Sequence, residues 1–167
     1  PLPRRSTQLE LEIKSKSNNF LGPGIKVSYR NRNTFRGAEL FVANIHASFE
    51  TQVGKDSKGL NSFEFGPGVE LYIPRFVTPF NIKNPSGYFL PKTKIAAGYN
   101  YMKRTGYFNL NSMAFTYGYK WKETLLKDHE FNPIVLSYLR ISNRSPEFNA
   151  LLEDNVLLQK SFEEQFI

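Results

Sequence analysis

The stretch that decides the fold is residues 112–121, which read Ser-Met-Ala-Phe-Thr-Tyr-Gly-Tyr-Lys-Trp. Its large apolar side chains occupy every second position: Met113, Phe115, Tyr117, Tyr119 and Trp121. Successive side chains of a β-strand point to opposite faces, so this period of two predicts a strand with one apolar and one polar face.

The same alternation recurs along most of the chain and predicts an all-β protein. It places seven strands at about residues 7–17, 24–35, 39–53, 61–73, 92–108, 110–123 and 129–142. Turn-forming residues between them, including Gly22-Pro23-Gly24 and the polar loop 54–59, predict short connections and an antiparallel meander. The seventh strand is apolar on both faces, so its orientation stays open.

The end of the chain changes character. Ser145 is a suitable N-cap and Pro146 suits the first helical position, which predicts a short helix at about residues 146–153. No prediction is made for residues 154–167. The chain begins at Pro1 rather than at a methionine, so we expect a processed product or a fragment of a longer protein.

Composition excludes several classes of site. The 167 residues suffice for one domain, and the absence of cysteine excludes disulfides, cysteine-ligated zinc and a cysteine nucleophile. Two histidines are too few for a histidine-rich metal site, and the chain has no Gly-x-Ser-x-Gly, Walker-loop, His-Glu-x-x-His or dinucleotide-binding motif. We therefore expect no enzyme, no cofactor and no metal. His46 lies on a polar face, and His129 lies in a polar turn.

The net charge of +7 raises nucleic acid as a partner, but the pattern argues against it. The basic residues are spread along the chain and alternate with acidic ones. The aromatic residues lie on the apolar faces rather than among the basic residues, where a base-stacking surface would need them. A basic barrel interior, or attraction to anionic lipid headgroups, explains the charge more simply.

Alternation alone leaves two architectures open. In a soluble β-sandwich the apolar faces form the core, whereas in a membrane β-barrel they face lipid. The length of the predicted strands and the crowding of Tyr and Trp residues in the hairpin 99–121 favour a membrane barrel. The alternative is a soluble antiparallel sandwich or small barrel that binds an apolar ligand.

One segment carries a family resemblance. Residues 22–39, Gly-Pro-Gly-Ile-Lys-Val-Ser-Tyr-Arg-Asn-Arg-Asn-Thr-Phe-Arg-Gly-Ala-Glu, resemble the second strand and following turn of the BamA/TamA (bacterial surface antigen) superfamily of outer-membrane assembly barrels, closest to the TamA-like lipoprotein (TamL) branch. Later segments agree in order: residues 72–76, 91–94, 98–101, 118–121 and 129–133. The resemblance covers only the N-terminal part of the barrel, about seven of the family's sixteen strands.

The resemblance implies a location and a function. It implies a non-enzymatic barrel of the Gram-negative outer membrane, whose parent inserts or assembles outer-membrane proteins. The implied partners are outer-membrane lipid, client β-barrel proteins and periplasmic assembly proteins. It identifies the first strand as the gate, whose edge pairs with a client strand, with Leu9, Leu11 and Ile13 as its apolar residues.

Two further groups of residues are singled out. Arg30, Arg32, Arg36 and Glu39 form either a charged cluster at the mouth of the barrel or a solvated turn. The predicted aromatic residues at the lipid interface are Tyr99, Tyr101, Phe115, Tyr117, Tyr119 and Trp121.

Overall fold

The computed structural model describes residues 3–15, 19–53, 60–79, 89–143, 145–146 and 165–166. They form one antiparallel sheet in which each strand pairs with the next one along the chain. The strands are β1 (Arg5–Ser15), β2 (Phe20–Asn31), β3 (Leu40–Gln52), β4 (Asn61–Ile73), β5 (Lys92–Arg104), β6 (Phe108–Thr124), β7 (Lys127–Ser142) and the two-residue β8 (Gln165–Phe166).

The all-β meander predicted from the alternation is confirmed, and its strands are long. The first seven contain 11 to 17 residues, against about 5–6 for an average strand in a globular protein. β-Branched and aromatic residues on alternate positions favour this extended backbone. No helix in the described part of the chain is long and apolar enough to cross a membrane.

Several predicted boundaries need correction. The Gly22-Pro23-Gly24 segment was predicted as a turn but lies inside β2, where Gly24 is paired with Glu12. β2 ends at Asn31 rather than residue 35, and β5 ends at Arg104 rather than residue 108. Residues 16–17, the loop 54–59 and, apart from Pro146, the predicted helix 146–153 lie outside the described residues.

Close packing of β2 against β3 explains why position 22, which lies inside a strand, requires glycine. A Cβ atom there would lie 1.8 Å from the Phe49 carbonyl oxygen on β3, a distance that no side chain can occupy. Pro23 has no N–H group, and the β2–β3 pairing skips from Leu21 to Gly24. The segment is thus a strand with a local gap in one of its two ladders.

The register defines two faces. The outer face carries the apolar residues, since Leu9 of β1 lies opposite Val27, which lies opposite Ile45. The inner face carries the polar residues between them. The orientation of β7, left open by the sequence, follows from its pairing: Leu136 lies opposite Phe115 on the outer face, and Ile141 lies opposite Leu110 on the inner face.

Burial is opposite to that of a water-soluble sandwich. Leu11 and Ile13 on the outer face are 77% and 81% exposed, whereas Ser48 on the inner face is 5% exposed. Phe20 and Ile141, the buried hydrophobic residues in the described ranges, both lie on the inner face. One sheet provides one layer, and a sandwich needs a second sheet to cover its apolar face.

Candidate pairing edge and the two faces of the sheet

The first candidate site is the open edge of β1, which is the side of this strand that does not pair with β2. Within the described residues β1 pairs with β2 alone, so its other edge has no strand partner. The predicted gate residues Leu9, Leu11 and Ile13 lie in this edge strand with their side chains exposed on the outer face. The gate role itself stays a prediction.

The hydrogen-bond register tells which backbone groups face that edge. The Arg32 N–H donates to the Arg4 carbonyl at 2.8 Å, and these two residues are opposite each other when the β1–β2 register is extended by one pair. Hydrogen-bonded and non-hydrogen-bonded pairs alternate along an antiparallel ladder. Even-numbered residues of β1 therefore bond to β2, and the odd-numbered ones direct their N–H and C=O groups to the open edge: Thr7, Leu9, Leu11 and Ile13.

The position of Pro23 agrees with this assignment. Pro23 lies opposite Ile13, which is a non-hydrogen-bonded pair, so its missing N–H is not required by β1. The missing donor faces β3, where the ladder is interrupted. The predicted gate residues are thus the same residues whose backbone groups are available to a further strand.

The second candidate site is a polar network on the inner face, centred on Glu64 of β4. The Glu64 carboxylate accepts a hydrogen bond from the Asn100 amide at 3.0 Å, and His46 Nε2 lies 3.2 Å from Asn100 Oδ1. The Lys14 ammonium lies 3.7 Å from Glu64 and 3.4 Å from the Ser48 hydroxyl. The alternation of apolar and polar residues placed His46 on the polar face, but it gave no indication of these hydrogen-bond and ion-pair partners.

The reach of Lys14 shows that the inner face is concave. Lys14 belongs to β1 and Glu64 to β4, three strands away. Three strand spacings amount to about 14 Å in a flat sheet, which is longer than a lysine side chain. Curvature, together with small residues that leave space above the sheet, brings the two groups together. A Cβ at Gly66, for example, would lie 2.3 Å from the His46 ring.

The third candidate site is the aromatic surface on the outer face of β5 and β6. The structure places Phe115, Tyr117, Tyr119 and Trp121 on one face of β6, as predicted. The four residues differ in their surroundings. Phe115 is exposed, whereas the last three are half-buried because residues 75–77 of the β4–β5 connection cover them.

This covering segment makes specific contacts. The Tyr119 hydroxyl donates to the Val77 carbonyl at 3.0 Å, and the Tyr117 hydroxyl donates to the same oxygen. The Phe76 ring packs edge-on against Tyr119 and Trp121 at centroid distances of 5.8 and 6.0 Å. At this end the outer face is covered by the protein's own chain.

Thr93 lies beneath the same segment and holds it to the sheet. Its hydroxyl donates to the Arg75 carbonyl at 2.7 Å and accepts a hydrogen bond from the Val77 N–H at 2.9 Å. Both hydrogen-bonding capacities of the hydroxyl are used, and Thr93 is 0% exposed. The sequence gave no indication of this contact, since Thr93 precedes an alternation that continues without interruption.

The remaining predicted lipid-interface residues lie on the same face. Tyr99 and Tyr101 of β5 are half-buried, and the Tyr99 hydroxyl donates to Asn111 Oδ1 at 2.7 Å. Asn111 lies opposite Tyr101, so this hydrogen bond runs along the outer face. The Tyr99 hydroxyl is therefore hydrogen-bonded within the protein.

The predicted charged cluster at residues 30–39 is a hydrogen-bonded turn rather than a set of ion pairs. Glu39 accepts hydrogen bonds from the N–H groups of Gly37 and Phe35 at 2.9 and 3.2 Å. A hydrogen bond from its own backbone N–H lowers the pKa of the Glu39 carboxyl; partial desolvation opposes this, and the other two N–H groups and the charge of Arg75 lower the pKa further.

No group of three metal-ligating side chains occurs within the ranges that the structure describes. Comparison of the chain with protein-family models, with curated proteins and with solved structures gave no match.

Proposed function

We propose that this chain is the N-terminal part of a bacterial outer-membrane β-barrel of the BamA/TamA type, whose parent inserts or assembles outer-membrane proteins. The observation that carries the proposal is the arrangement of the two faces. Apolar residues such as Leu11 are exposed on the convex face, while polar residues such as Ser48 are buried on the concave face. In water each exposed apolar Å² costs about 25 cal/mol, whereas lipid is a favourable solvent for that face.

The mechanism proposed for assembly is strand templating at β1. A strand that adds to a sheet edge is held by backbone hydrogen bonds, so the template needs free N–H and C=O groups rather than particular side chains. The odd-numbered residues from Thr7 to Ile13 direct these groups to the open edge. The reaction requires no cofactor, and its partners are outer-membrane lipid and client β-barrel strands.

The register provides a sharp test of templating, because proline removes one N–H donor. In the full-length parent, Leu11→Pro removes a donor that faces the open edge and leaves the bonds to β2 in place. We expect this variant to fold and to lose client assembly. Leu11→Ala is the matched control that shortens the same side chain and keeps the donor, and it should assemble clients normally.

A second variant separates templating from folding. Glu12→Pro removes the donor of a residue bonded to β2, so it should destabilise the parent barrel itself. Normal client assembly by the Leu11→Pro variant would contradict templating at this edge.

Crosslinking gives a direct readout of the same step, since the chain has no native cysteine. Leu9→Cys should crosslink to a cysteine in the terminal strand of a client during assembly. Ile45→Cys should not, because β3 lies between β2 and β4. Equal crosslinking at the two positions would place the client elsewhere.

A further inference from the structure

A basic cleft lies on the inner face, at the end of the sheet that carries the 32–39 turn. It has a volume of about 600 Å³, and its lining combines one acidic residue with five basic ones. The charged residues that line it are Lys26, Arg30, Arg32, Lys92, Lys120 and Glu70. Lys26 and Arg30 belong to β2, and Arg32 follows that strand. Glu70 belongs to β4, Lys92 to β5 and Lys120 to β6, so curvature of the sheet brings the six residues together.

Neighbouring carboxylates neutralise only part of this charge. Lys26 lies 3.1 Å from Glu10, and Lys120 lies 2.9 Å from Glu130. Glu70 accepts a hydrogen bond from the Tyr72 hydroxyl at 2.7 Å. Within the described residues, Arg30 and Lys92 have neither an ion-pair partner nor a side-chain hydrogen bond, and both are exposed to solvent. The cleft thus keeps a surplus of positive charge.

The strand register also places two lysines opposite each other, and a bound anion would offset their repulsion. Lys92 of β5 lies directly opposite Lys120 of β6, on the same face of the sheet. Like charges directly opposite each other in an antiparallel pair destabilise it. Glu130 pairs with Lys120 from the far side, on β7, whereas Lys92 forms no ion pair within the described ranges. An anion bound between Arg30 and Lys92 would remove this repulsion.

We propose that this cleft binds a compact group with two or more negative charges, namely a phosphate, either free or on a lipid headgroup. Basic side chains from β2, β5 and β6 line the same cleft, and this arrangement suits a compact dianion. An acidic peptide would spread its carboxylates along a line, at about 6.6 Å for every second residue of an extended strand. The planar guanidinium group of Arg30 matches the geometry of phosphate oxygens. Arg32 lines the same cleft, and its Nη1 donates a hydrogen bond to the Pro3 carbonyl at 2.8 Å.

Binding can be measured on the full chain in micelles of an uncharged maltoside detergent, which contributes no phosphate. Titration with inorganic phosphate should show saturable binding that weakens as salt is raised. Arg30→Gln and Lys92→Gln should each weaken it about tenfold, since each removes one charge-assisted contact. Lys103→Gln is the matched control, an exposed lysine at the other end of β5 and on the outer face, and should leave it unchanged.

Two further arms identify the source of the phosphate. If micelles doped with phosphatidic acid, whose headgroup is a phosphomonoester and can carry two negative charges, displace inorganic phosphate, the ligand is a headgroup; if they do not, it is a free phosphate. Tighter binding of an octaglutamate peptide than of phosphate would overturn the proposal in favour of an acidic protein segment. Absence of phosphate binding, or an equal loss in Lys103→Gln, would overturn it outright.

Unfolding of the unliganded chain gives a readout that does not depend on any ligand. Lys92→Gln should raise the midpoint of thermal unfolding, because it removes the like-charge contact with Lys120. Added phosphate should then stabilise the native chain more than this variant. A lower midpoint in Lys92→Gln would contradict the argument from repulsion. Neither measurement needs a client strand, so the outcome is separate from that of the templating tests.

Discussion

The outer and inner faces of the sheet are formed by the same strands, yet their burial is opposite to their polarity. On β1, Ile13 on the outer face is 81% exposed, whereas Ser62 of β4 on the inner face is 4% exposed. Curvature is the cause, because side chains converge on a concave face and diverge on a convex one. The comparison teaches that polar side chains such as Ser62 are packed on the concave face, whereas large apolar side chains such as Ile13 stay exposed on the convex face.

The largest effect is expected from a charge placed on the outer face. Phe115→Arg puts a cation near the middle of β6, where it should cost roughly 2–4 kcal/mol in a bilayer. Thr116→Arg, one residue away on the inner face, should cost much less. Refolding titrations of the two variants into lipid vesicles measure the difference. Equal costs at the two positions would break the distinction between the faces.

A smaller effect tests the packing of the inner face. Gly22→Ala places a Cβ against the Phe49 carbonyl oxygen, and because the obstacle is backbone the strands must separate, at about 1–3 kcal/mol. Gly98→Ala is the matched control on the same face, since its nearest neighbour is 3.9 Å away. Equal stability of the two variants in denaturant unfolding would show that β2 and β3 are not in such close contact.

The smallest effect concerns the covered part of the outer face. Tyr119→Phe removes the hydroxyl that donates to Val77, which should cost about 1 kcal/mol of unfolding free energy. Tyr29→Phe is the control, because the Tyr29 hydroxyl has no hydrogen bond within the described residues, and it should be close to neutral. Equal values for the two variants would mean that the hydrogen bond from Tyr119 to Val77 does not stabilise the protein in solution.

Much of the fold was predictable because alternation is a local property. A period of two along residues such as Phe115, Thr116 and Tyr117 fixes both the strand and the assignment of side chains to two faces. The positions of turns were harder to predict from the sequence. Gly22-Pro23-Gly24 has the composition of a turn, and only the close approach of the β3 backbone reveals that Gly22 is needed inside a strand.

The candidate site was predictable in part for the same reason. The alternation placed Leu9, Leu11 and Ile13 together on β1, and the β1–β2 register then showed that their backbone groups face the open edge. Contacts between residues far apart in the chain had no local signal. The Lys14–Glu64 pair and the hydrogen bonds of Thr93 to residues 75–77 belong to this class.

The sequence by itself determined the strands, their order in a meander and the polarity of each face, because these follow from neighbouring residues. The tertiary structure decided which face is concave, which residues lie opposite each other in neighbouring strands and which surfaces are covered. The basic cleft illustrates the difference. Lys92 and Lys120 are separated by 28 positions in the chain, and only the β5–β6 register, together with the curvature of the sheet, makes them neighbours in one site.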